Sequence, residues 1–127
     1  MKKLIIILML GVFPMMLSAT GYQGPEKISL GKGWEFSQAG KGEWLPAKVP
    51  GTVHQDLMDN GKLVNPFYGM NEEKVQWVEK EDWQYRTTFV LTKEQVERED
   101  AVLRFDGLDT YADIYLNGSL LERTDNM

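Results

Sequence analysis

The sequence contains no cysteine and a single histidine, His54. Without cysteine there can be no disulfide scaffold, no thioether lipid behind a leader and no thiolate nucleophile. With only one histidine besides, a structural zinc site has almost no ligands to draw on. Basic charge is also short, since 14 Lys and Arg stand against 19 Asp and Glu, a formal net charge of −5. Phosphate backbones and anionic bilayers repel a net anion, so neither nucleic acid nor a membrane surface is an expected partner. Long apolar runs are scarce too. Only Leu4 to Leu17 qualifies, interrupted by Gly11 and Pro14, whereas a spanning helix wants roughly 20 apolar residues.

What that run does fit is a secretory leader. Lys2 and Lys3 precede it, and Ser18, Ala19, Thr20 and Gly21 supply small residues after it. Residues 1–21 are therefore read as a signal peptide cut after Gly21, with Ala19 the alternative, and residues 22–127 as the exported domain. The lysine-led leader suggests a bacterial origin, with the periplasm or the medium as destination. After cleavage no membrane attachment is expected. The remaining length suits one domain, and 43% hydrophobic with 11% aromatic residues suits a β-rich core.

Along the exported part, Ile28, Leu30, Trp34 and Phe36 fall on alternate positions around Gly31-Lys32-Gly33, which reads as an edge strand with a bulge. Trp44 to Ala47 begins a short strand that Pro50-Gly51 ends, with Trp44 expected in the core. From Thr52 the period becomes helical. Thr52 can cap with Gln55 three residues on, Val53 and Leu57 lie four apart, and Gly61 is a natural stop. His54 falls here, its ring expected to bond a neighbouring carbonyl rather than to serve as acid or base. Trp83, Tyr85, Thr87, Phe89 and Leu91 alternate with Gln84, Arg86, Thr88 and Val90, giving the clearest strand of the chain. Thr92 to Gln95 is a second capping box, with Val96 expected to tuck inward on the way to a strand at Ala101–Phe105. Thr110–Leu116 forms the next strand. Asn117-Gly118 then predicts a type I′ hairpin, which accounts for Asn117-Gly118-Ser119 without invoking glycosylation.

Two stretches do not reduce to core or turn. Asn65 to Glu73 puts Phe67 and Tyr68 where a surface turn would carry small polar residues. Glu72, Glu73, Glu79, Glu81 and Asp82, offset by Lys74 and Lys80, suggest a paired-carboxylate site, but mixed charge of this kind is ordinarily a solvated face.

The order and spacing of VPG and VHQDL from Val49, NPFYGMNE from Asn65, the lone Trp77, DWQYRTTF from Asp82 and LRFDGLDTYADIYLNG from Leu103 resemble the N-terminal domain of family 2 glycoside hydrolases, the β-mannosidases most of all. The resemblance implies an all-β fold, a jelly-roll (galactose-binding-like) β-sandwich of which six or seven strands are present, incomplete at the C-terminal end and preceded by the signal peptide. In that family an immunoglobulin-like sandwich and a (β/α)₈ barrel follow, and the barrel carries both catalytic glutamates. No residue of this chain inherits a catalytic role, and no cofactor or metal is implied.

The function so implied is that of an accessory N-terminal domain of a retaining, exo-acting β-mannosidase, which releases terminal non-reducing β-D-mannose from oligosaccharides. A β-mannoside oligosaccharide is then the partner of the parent protein, and the Asn65 loop is expected to lie on its catalytic domain. Asn65 and Tyr68 are the candidate substrate-binding residues. The alternatives are an exported non-catalytic carbohydrate-binding module and the front domain of another family 2 enzyme, such as an exo-β-glucosaminidase.

Overall fold

The computed structural model describes residues 4–13, 26–98, 100–108 and 110–126. They build one sheet in the order β3-β2-β4-β1-β5-β6. Its strands are β1 (Leu4–Phe13), β2 (Glu35–Gln38), β3 (Leu45–Pro46), β4 (Trp83–Thr92), β5 (Thr110–Leu116) and β6 (Ser119–Asn126). Three short helical pieces interrupt them, α1 (Val53–Asp59), α2 (Asn71–Val75) running into a 3₁₀ turn at Gln76–Lys80, and α3 (Lys93–Val96).

Alternation decides which face is inside. On β4, Trp83, Tyr85 and Thr87 are buried while Thr88 and Val90 are exposed. Phe36 of β2, Ile6 and Leu8 of β1 and Ile114 of β5 join them in one core. The cover is helical, with Val53 and Leu57 of α1 and Val78 of the 3₁₀ turn packed onto that same face. Phe36 anchors the centre, its ring 5.7 Å from that of Tyr85 and 6.1 Å from that of Trp83. Each such side chain contributes about 1.5–3 kcal/mol by leaving water. Trp83 also satisfies its indole N–H, which donates to the Val78 carbonyl at 2.9 Å.

Local signals set the joints. Thr52 caps α1, its hydroxyl accepting from the Gln55 N–H, and Thr92 and Gln95 complete a capping box at α3. Asn117 and Gly118 both take positive φ, as a type I′ turn requires, and β5 and β6 pair antiparallel from Leu116 and Ser119. The Val49–Pro50 peptide bond is cis.

The apolar run read as a leader forms β1 in this structure, parallel to β4 and to β5; Ala19 and Gly21 lie outside the described residues. Three expectations turn out differently. Ala101–Phe105 forms no strand. The reason is the sheet order: β4 is flanked by β2 and β1, and β5 by β1 and β6, so neither has an edge left to pair. Asn71–Lys80, read as a loop and a charged link, is helical because Val75 and Val78 can be buried from it. Val96 is exposed rather than tucked inward.

Asp56 is the polar centre of the fold. It is 1% exposed, and its two carboxyl oxygens accept from the Lys48 backbone N–H at 2.8 Å and the Tyr85 hydroxyl at 2.7 Å. Burial first, and the carboxylate second, hold the Tyr85 phenol well above its ordinary range. Asp56→Ala leaves both donors without an acceptor and should cost about 3 kcal/mol in urea unfolding. A folded-state pKa above the unfolded value of about 10 gives stability that is complete below that pH and lost as pH rises beyond it. Unfolding free energy should therefore fall above about pH 10, and Tyr85→Phe should flatten that fall.

Candidate functional site

The segment that carries the candidate residues leaves α1 through Gly61, whose φ is positive, and returns at α2. Asn65 organises it. Its side-chain oxygen accepts from the Phe67 N–H at 2.9 Å, an Asx turn, and its carbonyl accepts from the Asn71 carboxamide at 3.0 Å. Gly69 turns the chain with positive φ. The result is a loop tied by its own polar atoms that presents its large side chains outward. Phe67 is 91%, Tyr68 70% and Met70 72% exposed, with Val64 and Trp77 exposed beside them.

The base of this surface is fixed. The Trp77 ring lies 5.9 Å from that of Trp83, which is core, and Val75 and Val78 are buried on either side of Trp77. At the end of α1, hydrogen bonds from Gln55 and then Lys48 hold the Asp59 carboxyl below the usual carboxylate range. A shallow groove runs between α1 and the α2 region, lined by His54, Glu72, Val75, Gln76, Glu79 and Lys80. His54 is half-buried there, and its ring makes none of the expected carbonyl bonds among the described residues.

Asn65 and Tyr68 are thus on one loop, three residues apart, but they are not equivalent. Tyr68 is open to a partner. Asn65 already spends its carboxamide oxygen inside the loop. Glu72, Glu73 and Glu79 are exposed, the solvated face that their mixed-charge stretch suggests. Among the described residues there is no group of three side chains able to hold a metal ion.

Asp56 went unrecognised as a candidate, although its signal was present. It lies three residues after Val53 and one before Leu57, on the inward stripe of α1, where a carboxylate must find donors. Trp44 was expected in the core and is half-buried. Its ring instead carries the Arg86 guanidinium at 3.9 Å, on the sheet face opposite the helices, with Glu35 bonding the same group at 2.8 Å.

A sheet with one helix-covered face, and beside it a solvent-exposed loop of aromatic residues, defines a β-domain with a surface suited to contact. The profile described as "Glycosyl hydrolase 2 galactose-binding domain-like" matches residues 34–127, and the chain belongs to that family. The jelly-roll class expected from the sequence agrees with this match and with a solved structure, the β-D-mannosidase from Dictyoglomus thermophilum. To it the chain is 50% identical over 79% of its length, with a TM-score of 0.76, while covering 12% of that chain. Among curated relatives, β-mannosidase B of Thermothelomyces thermophilus is 45% identical over 103 residues, and that of Aspergillus clavatus 40% over 107 residues. These matches take in 79% and 80% of the chain but only 12% of either relative's length.

A loop that holds itself together should tolerate loss of its outward rings. Phe67→Ser in this chain should change the urea unfolding free energy by less than about 0.5 kcal/mol. Trp77→Ala removes a ring packed on Trp83 and should cost at least about 1 kcal/mol.

Proposed function

We propose that this chain is the N-terminal accessory domain of an exported, retaining, exo-acting β-mannosidase that releases terminal non-reducing β-D-mannose from oligosaccharides. The observation that carries the proposal is the 50% identity to a solved β-D-mannosidase across 79% of the chain. The chain spans 12% of that protein, so the rest of the parent enzyme would supply the two carboxylates that glycoside hydrolysis needs.

In this reading the domain acts by contact. Phe67, Tyr68 and Met70 form an apolar surface too exposed to serve the domain itself, and burying it against the catalytic domain would remove it from water. Tyr68, with its hydroxyl at the end of an exposed ring, is the residue of the loop best suited to reach a sugar at the edge of a pocket. Asn65 serves mainly by fixing the turn that presents it. Residues 1–21 serve as the leader, which places the mature protein in the periplasm or the medium of a bacterium. An acidic domain is no obstacle to a neutral oligosaccharide.

The natural gene product, purified from its own cells, should be several times larger than this chain, begin at Tyr22 or Thr20, and release the aryl group from an aryl β-mannoside. A stable product of this size that is inert toward the glycoside but retained on mannan would replace the enzyme reading with a carbohydrate-binding module, the one the exposed rings of Phe67 and Tyr68 would suit. In the active enzyme, Tyr68→Ala should lower kcat/KM about fivefold, or about 1 kcal/mol, with Tm unchanged.

A further inference from the structure

The loop at residues 65–70 turns Phe67, Tyr68 and Met70 outward, so burial of these side chains within the domain does not fix its shape. Hydrogen bonds hold it instead. Two are backbone bonds and long, from the Tyr68 N–H to the Asn65 carbonyl at 3.4 Å and from the Asn71 N–H to the Tyr68 carbonyl at 3.2 Å. The other two involve side chains and have ordinary lengths: the Phe67 N–H donates to the Asn65 side-chain oxygen at 2.9 Å, and the Asn71 carboxamide donates to the Asn65 carbonyl at 3.0 Å. The side chains therefore decide the turn. Of the two asparagines, Asn71 is the one on fixed ground. It opens α2, and the chain after it is anchored by buried Val75 and Val78 and by the Trp77 ring against Trp83.

We propose that Asn71 is the positioning residue of this loop: its carboxamide, held at the head of a helix packed on the core, grips the Asn65 carbonyl and so sets where Phe67 and Tyr68 point. The two asparagines have opposite chemical tasks. Asn65 serves the turn as an acceptor at its side chain, whereas Asn71 serves it as a donor. An aspartate has the same shape and only acceptors. At residue 65 it keeps the bond to the Phe67 N–H, while at residue 71 it sets a carboxylate against a carbonyl. Both partners of each bond lie within residues 65–71, so the tie is internal to the loop and α2, whatever the parent protein lays over them.

The kinetic consequence rests on the proposed contact between this loop and the rest of the β-mannosidase; the positioning role does not. Amide hydrogen exchange in the natural gene product reads that role directly. Asn71→Asp should speed exchange of the Phe67 and Tyr68 amides at least about tenfold, as an opened turn requires, while the amides of β4 keep their rates. Asn71→Ala should do the same, and it carries the test if the aspartate prevents folding. Asn65→Asp should leave those two amides within about twofold of the unsubstituted protein, since its acceptor is retained. Equal effects of aspartate at residues 65 and 71, no effect at 71, or a rise that spreads to β4 would overturn the proposal. In the aryl β-mannoside assay, Asn71→Asp should lower kcat/KM about fivefold alone and add nothing to Tyr68→Ala, because it acts through that ring. Losses that multiply would overturn it as well. Unchanged kinetics in Tyr68→Ala, with the exchange pattern as expected, would sink the sugar contact alone and leave Asn71 as the residue that positions the loop.

Discussion

Three parts of the chain meet at one carboxylate. Asp56 takes the Lys48 N–H from the segment before the Pro50-Gly51 turn and the Tyr85 hydroxyl from the middle of β4, and it does so from inside α1. A buried carboxylate with its donors removed is costly, so each of the three segments is obliged to stay where it is. Helix α1 has 7 residues, too short to persist alone. Its place over Phe36 and Tyr85 is what allows the chain after it to leave the sheet at a fixed angle and carry the Asn65 loop outward.

Electrostatics beyond that point are modest. Most ion pairs, such as Lys62–Glu43 and Arg104–Asp106, are exposed and worth little. Arg123–Asp113 is different on one side only, because Asp113 is buried while Arg123 is not. The acidic excess therefore belongs to the surface, and the polar chemistry that determines the fold is concentrated at Asp56, Tyr85 and the indole of Trp83.

What could be seen in the sequence was whatever is decided within a few residues. The caps at Thr52 and Thr92, the stop at Gly61, the Asn117-Gly118 turn and the alternation of β4 each depend on neighbours along the chain, and each is found where expected. What escaped depends on neighbours in space. Whether Ala101–Phe105 becomes a strand is a matter of which sheet edges are vacant, and its own residues do not decide that. Leu4–Phe13 illustrates the same limit, since an apolar run rich in isoleucine and leucine satisfies a leader and a buried strand equally. At the candidate site the outward rings of Phe67 and Tyr68 were legible from their oddity in a turn. That Asn65 spends its oxygen on the loop itself was not, because an Asx turn and a sugar contact ask for the same residue type.

The sandwich of Trp44, Arg86 and Glu35 gives the domain a back and a front. A guanidinium lying on an indole and bonded by a carboxylate is content in water, so this part of the sheet surface satisfies its own charge. The helical side ends instead in rings and a thioether that water solvates poorly. Under the proposed reading, a neighbouring domain would lie against the helical side, where Phe67, Tyr68 and Met70 would leave water.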